Sequence, residues 1–136
     1  MIGHQIQHSE ALKFIFAGKS IFTVKNPKTD NRFTFKVNKH KVDDIYFVNV
    51  LTGPDTFQFV GTLNSNTNYK HSRKSRITFE AQSVKVFDFI IKGLRSNKLP
   101  QFIEIWHEGK CGRCGRRLTV PESIESGFGP ECTKLV

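Results

Sequence analysis

All three cysteines of this chain fall near its end in one pattern, Cys111 and Cys114 in HEGKCGRCGRRL and Cys132 in GFGPECTKLV. No other feature restricts the fold of the tail as strongly. Two thiols separated by two residues, followed by a third, have the spacing of a structural zinc site, in which a tetrahedral ion is closed by four protein donors. Three thiolates need a fourth partner. His107 stands four residues before Cys111, so the chain reads His-x3-Cys-x2-Cys-x17-Cys. Glu108 and Glu131 are alternative donors, and His71, in a basic loop, is a poor one.

The neighbours of the thiols suit that reading. A metal-binding turn aims two sulfurs at one ion while backbone N–H groups bend toward them, and Gly112 and Gly115 supply the dihedral freedom this needs. In GPEC, residues 129–132, the proline takes a first helical position, which sets Cys132 in the first turn, where the helix dipole favours a thiolate. A knuckle, a short strand over 116–120 and a ligand on a helix start together predict a treble-clef-like finger over 107–136. A redox dithiol normally opens a helix in a βαβ unit, and none is visible here. A disulfide framework would leave one of three cysteines unpaired and lacks a preceding signal peptide.

The string CGRCGRRLTVPESIESGFGPEC resembles a short zinc module of unassigned function found in bacterial and phage-encoded proteins. That pattern runs Cys-x2-Cys-Gly-Arg-x-Leu-Thr-x-Pro-x-Ser and then Gly-x-Gly-Pro-x-Cys, and the match is close from Cys111 to Cys132. Upstream, FIFAGKSIFTV, FVNVLTGPD and YKHSRKSRI are similar to phage proteins that end in this module. The resemblance implies zinc on Cys111, Cys114 and Cys132 and a phage or bacterial cytoplasmic setting. It implies no reaction. Only four residues follow Cys132, so the closing helix is expected to be barely one turn.

Within 136 residues there is room for a basic α+β domain over 1–106 with its own core, plus the finger. Thirteen Phe, one Trp and two Tyr argue for a folded globule. No apolar run approaches the roughly 20 residues that cross a bilayer, and MIGHQIQHSE lacks the basic start and apolar stretch of a signal peptide. A cytoplasmic protein with no membrane partner is expected.

Period-two patterning dominates the first half. Residues 21–25 and 32–37 flank the turn-forming NPKTDN, and in the second of these strands Phe33, Phe35 and Val37 share one face while Arg32, Thr34 and Lys36 share the other. Residues 45–51 and 57–63 read as a second hairpin, apolar on both faces and therefore nearer the sheet centre. A short helix capped by Ser9, with Leu12 and Phe16 on one face and Gly18 as its stop, precedes them. Residues 76–80 suggest a further strand. Residues 82–94 form the clearest helix, with Val84, Phe87, Ile91 and Leu94 at helical spacing and Asp88 one turn from Lys92. Pro100 ends it and releases a last strand, 101–106, that leads into His107. The expected fold is thus an antiparallel sheet of about five strands with one main covering helix, ending in the finger.

Charge is the second strong feature. Lys plus Arg number 21 against 12 Asp plus Glu, a formal +9, so the surface attracts polyanions. From residue 11 to residue 42 eight basic residues face the single acid Asp30. Lys70, Arg73, Lys74 and Arg76 form a second cluster, and Arg113, Arg116 and Arg117 a third on the finger. These residues predict contacts to DNA or RNA phosphates, with exposed aromatics extending the site to single strands. The alternative is an inhibitor or adaptor that docks on an acidic face of a host protein. Enzyme activity is not expected: no Ser/His/Asp set, paired carboxylates or phosphate loop occurs, a closed zinc site leaves no place for activated water, and His40 beside Asp43 and Asp44 fits an ordinary turn. No small-molecule substrate is implied.

Overall fold

The computed structural model describes residues 4–66, 68–119 and 121–135. Alternating apolar residues from residue 19 to residue 63 produce a four-stranded antiparallel meander: β2 (Lys19–Asn26), β3 (Asn31–Lys39), β4 (Tyr46–Leu51) and β5 (Phe57–Leu63). Remote segments extend it on both sides. β7 (Glu104–His107) pairs with β2, β1 (His4–Ile6) pairs with β7, and β6 (Lys70–His71) pairs with β5, giving the order β1-β7-β2-β3-β4-β5-β6 with every pairing antiparallel. Among the described residues the sheet therefore has seven strands, not about five. Two of the additional strands are three and two residues long, too short for an alternating pattern to register.

The strand expected over 76–80 is absent. Ser75 Oγ instead donates to the Ile77 carbonyl and accepts from the Ile77 N–H, a local turn that competes with strand pairing. Lys70 and His71, which read as loop, supply the edge strand in its place.

Among the described residues both expected helices pack on the sheet, the short one before it as well as the main one. α1 (His8–Ile15) buries Ala11, Phe14 and Ile15, and α2 (Gln82–Arg95) buries Val84, Phe87, Ile90, Ile91 and Leu94. Ser9 lies inside α1, not at its cap; Gln7 holds the cap position without a side-chain bond. Asp88 and Lys92 pair at 2.9 Å as their spacing predicts. The core centres on Phe87 of α2, whose ring stands 5.1 Å from Phe35, 6.5 Å from Phe22 and 5.4 Å from Tyr69. Burying a phenylalanine of this kind is worth roughly 2 to 3 kcal/mol.

Phe22, Val24, Phe35, Val37, Val48 and Val50 all point toward the helices. The opposite face, carrying Lys36, Phe47, Asn49 and Phe59 among others, is only half-buried across β3 to β5. This corrects the placing of β4 and β5. They are apolar on both faces without being central: the sheet centre is β3, and their outward phenylalanines stand on the uncovered face. A bulge opposite Val48 and Asn49 leaves Val60 as the extra residue of β5 and turns it into the core.

Candidate metal centre

β7 ends at His107, and Gly109, at φ +82°, turns the chain into the knuckle. There the Cys111 N–H donates to the Arg116 carbonyl at 2.8 Å, the Gly115 N–H to the Cys111 carbonyl at 2.9 Å, and the Leu118 N–H to the Gly109 carbonyl at 2.7 Å. Gly115 adopts φ +80°, which an L side chain rarely tolerates, so the tight return after Cys114 depends on it. The strand expected over 116–120 is reduced to one bridge, Lys110 with Arg117, and Val120 lies outside the described residues. α3 (Pro121–Ser126) follows, and a 3-10 turn over Cys132–Lys134 closes the tail. Cys132 is the first residue of that turn, with Pro130 ahead of it and not inside it.

These elements bring the three thiols together. Their sulfurs lie within 4.8 Å of one another, and the three residues form a cluster that can hold a metal ion. A tetrahedral ion with metal–sulfur bonds of about 2.3 Å sets two sulfurs about 3.8 Å apart, so a modest contraction completes such a site. Cys111 is fully buried and Cys132 nearly so. Burial alone would push the Cys111 thiol up. Backbone N–H groups of Cys114, Gly129 and Arg113 directed at its sulfur outweigh that and bring it to about 7. For Cys132 the Arg113 guanidinium, 3.6 Å from the sulfur, pulls down, while burial and the two neighbouring thiols push up more strongly, so the net shift is upward.

His107 does not join them. Its Nε2–H donates to the Ile124 carbonyl at 2.7 Å and its Nδ1 accepts from the Gly109 N–H at 2.9 Å, so neither nitrogen presents a lone pair to an ion. The expectation of His107 as fourth ligand is corrected on this geometry: the side chain is buried and ties β7 to α3 and to the turn before the knuckle. Burial lowers its pKa, opposed by the Ile124 bond, and His4 adds to the lowering. Glu108 and Glu131, the alternative donors, also stand outside the cluster.

The knuckle is seated on α1. A Cβ on Gly112 or Gly127 would lie 2.7 or 2.8 Å from the Phe14 ring, so both glycines let backbone close onto that ring from two sides. Phe14 also packs 5.6 Å from the His107 ring and 5.9 Å from Phe128. The Gly112 N–H donates to Gly127, and the Gly112 carbonyl accepts from Lys19 at 2.8 Å. Sequence reasoning missed this clamp and missed α3. Pro121 at a helix start and Gly127 just past its end were the available signals for α3.

The basic residues do not converge on one patch. Arg113, Arg116 and Arg117 are exposed and line a cavity of about 530 Å³ beside Cys114 and Cys132, where Glu131 is the only acid among the described residues. Lys70, Arg73, Lys74 and Arg76, also exposed, lie at the β6 edge on the far side of the sheet. His40 sits at a turn, its Nδ1 accepting from the Val42 and Asp43 N–H groups.

Residues 106–136 match the model of a family of unknown function, DUF6011. No curated protein and no solved structure matches the chain. Among the described residues no helix is long and apolar enough to cross a membrane.

Proposed function

We propose that this chain is a non-enzymatic, zinc-containing protein that binds nucleic acid through its basic surface. The observation that carries the reading is the cavity beside the thiols, which gathers Arg113, Arg116 and Arg117 around a cysteine cluster with one opposing carboxylate. Three cysteines with sulfurs within 4.8 Å make a soft donor set suited to zinc. Glu131 lines the same cavity without joining the three-thiol cluster, so a fourth donor would have to come from elsewhere. Bound by the thiols, the ion would fix a treble-clef-like tail and hold the arginines in register for phosphates, which planar guanidinium groups grip in pairs. The likeness of the tail to modules of phage-encoded proteins supports a phage origin and a bacterial cytoplasm as its setting.

The test is a salt titration of affinity for labelled DNA and RNA, with wild type and an Arg113→Glu, Arg116→Glu, Arg117→Glu variant. Weakened affinity on all sequences, with a salt slope shallower by about one for each phosphate no longer neutralised, supports the reading. Absence of binding at low salt overturns it. Nuclease-resistant capture of a single host protein would then favour the inhibitor or adaptor role.

A further inference from the structure

The sheet face turned away from α1 and α2 carries side chains that solvation alone does not require. Register lines up Lys19, Asn38, Phe47, Thr62 and Lys70 in one row from β2 to β6. In the next row Lys36 leads through Asn49 to Phe59. The Phe47 and Phe59 rings stand 6.3 Å apart, and Lys36 Nζ lies 5.5 Å from the Phe57 ring. All three rings are half-buried, each leaving part of its surface to solvent.

At the β2 end this face meets the knuckle. A cleft of about 430 Å³ opens there, lined by Lys19, Lys36, Lys39 and Lys110 with Cys114 and Gly115, and no acid borders it among the described residues. None of these four lysines has a carboxylate within 4.0 Å among the described residues. Four uncompensated ammonium groups around one cleft attract an anion.

We infer that this face is a platform for single-stranded nucleic acid, with the lysine cleft taking phosphates and Phe47, Phe57 and Phe59 stacking on bases. The inference rests on the nucleic-acid reading above and supplies the strand form. A duplex offers phosphates but hides its base faces, so it would use the lysines and leave the rings idle. A single strand uses both. A protein partner fits less well, because the centre of a protein interface is depleted in lysine. Four strand spacings span about 19 Å, room for about four nucleotides, the lower end of known single-strand sites.

Anisotropy with a labelled oligo-dT of about 12 nucleotides and a duplex of equal length, on zinc-loaded full chain, decides the matter. Wild type is expected to bind the single strand about tenfold or more tightly than the duplex. Phe47→Leu with Phe59→Leu, which keeps apolar bulk and removes the rings, should weaken the single strand about tenfold or more and leave the duplex unchanged. Lys19→Gln with Lys36→Gln, at solvent-facing positions, should lower the single-strand salt slope by about 0.7 for each phosphate no longer neutralised. If wild type binds both probes alike and the leucine and glutamine changes are silent, the platform is refuted while nucleic-acid binding stands. If wild type binds neither probe, both fall.

Discussion

Cys111 and Cys132 differ in their electrostatics. Cys111, held at about 7 by amide N–H groups, is largely deprotonated above neutrality, while Cys132, shifted upward, still carries a proton that an entering ion must displace. Zinc affinity is therefore expected to fall as pH drops, and to fall more steeply below pH 7, where Cys111 also regains its proton; competition with a chromophoric chelator between pH 6 and 8 reads the change in slope. A curve of constant slope would reject this division. Replacing Cys111 by Ser should abolish stoichiometric zinc and lower the thermal midpoint by about 10 °C or more, since structural zinc can contribute on the order of 10 kcal/mol of binding free energy. His107→Ala separates the two accounts of that residue. With both nitrogens bonded to backbone it should cost about 2 to 4 kcal/mol of stability and leave one zinc per chain. A folded variant without zinc would restore the histidine as a ligand.

At the scale of elements, α1 does for the tail what a long closing helix would otherwise do. The 3-10 turn over Cys132–Lys134 is three residues long and cannot by itself seat a metal site. Phe14, 1% exposed and clasped between Gly112 and Gly127, joins the knuckle to the sheet. Phe14→Ala should therefore lower global stability by about 3 to 5 kcal/mol and also weaken zinc binding, whereas an equally buried residue far from the knuckle, such as Val48, should affect stability alone when truncated. Urea melts of the two variants beside chelator competition make the comparison. Equal zinc affinity in both would mean that the tail holds its ion independently of α1. Gly61→Ala tests the other edge: its Cβ would run into the Lys70 carbonyl oxygen and the Tyr69 ring, so β6 should detach and Lys70 leave its place in the row, seen as faster amide exchange at residues 69–72.

For the whole molecule, the formal +9 is distributed around the sheet and not gathered at one point. Arginines cluster beside the thiols, lysines at the junction of knuckle and sheet, and a third group at the β6 edge. Affinity spread over such separated clusters should respond to salt as their sum: neutralising one cluster should reduce the salt slope in part, and the reductions from separate clusters should add. Isothermal titration at several salt concentrations measures this. A single cluster accounting for the entire slope would confine binding to that cluster.

The meander, α2 and the grouping of three thiols are legible in the sequence because each is local: period two in β2 to β5, helical spacing from Val84 to Leu94, and ligand spacing in Cys-x2-Cys report chain geometry over a few residues. His107 is misread from sequence because spacing alone cannot tell whether an imidazole meets a metal or two backbone groups; that depends on where α3 returns. The outward phenylalanines of β4 and β5 suggest a central position because a strand apolar on both sides gives no sign of whether both sides are covered. The residues by themselves determined the four-stranded meander, α2 and the thiol knuckle. Only the tertiary structure decided which face of the sheet stays open and what the knuckle rests on, because both depend on contacts between segments about a hundred residues apart, Phe14 with Gly112 and β1 with β7, that no local pattern encodes.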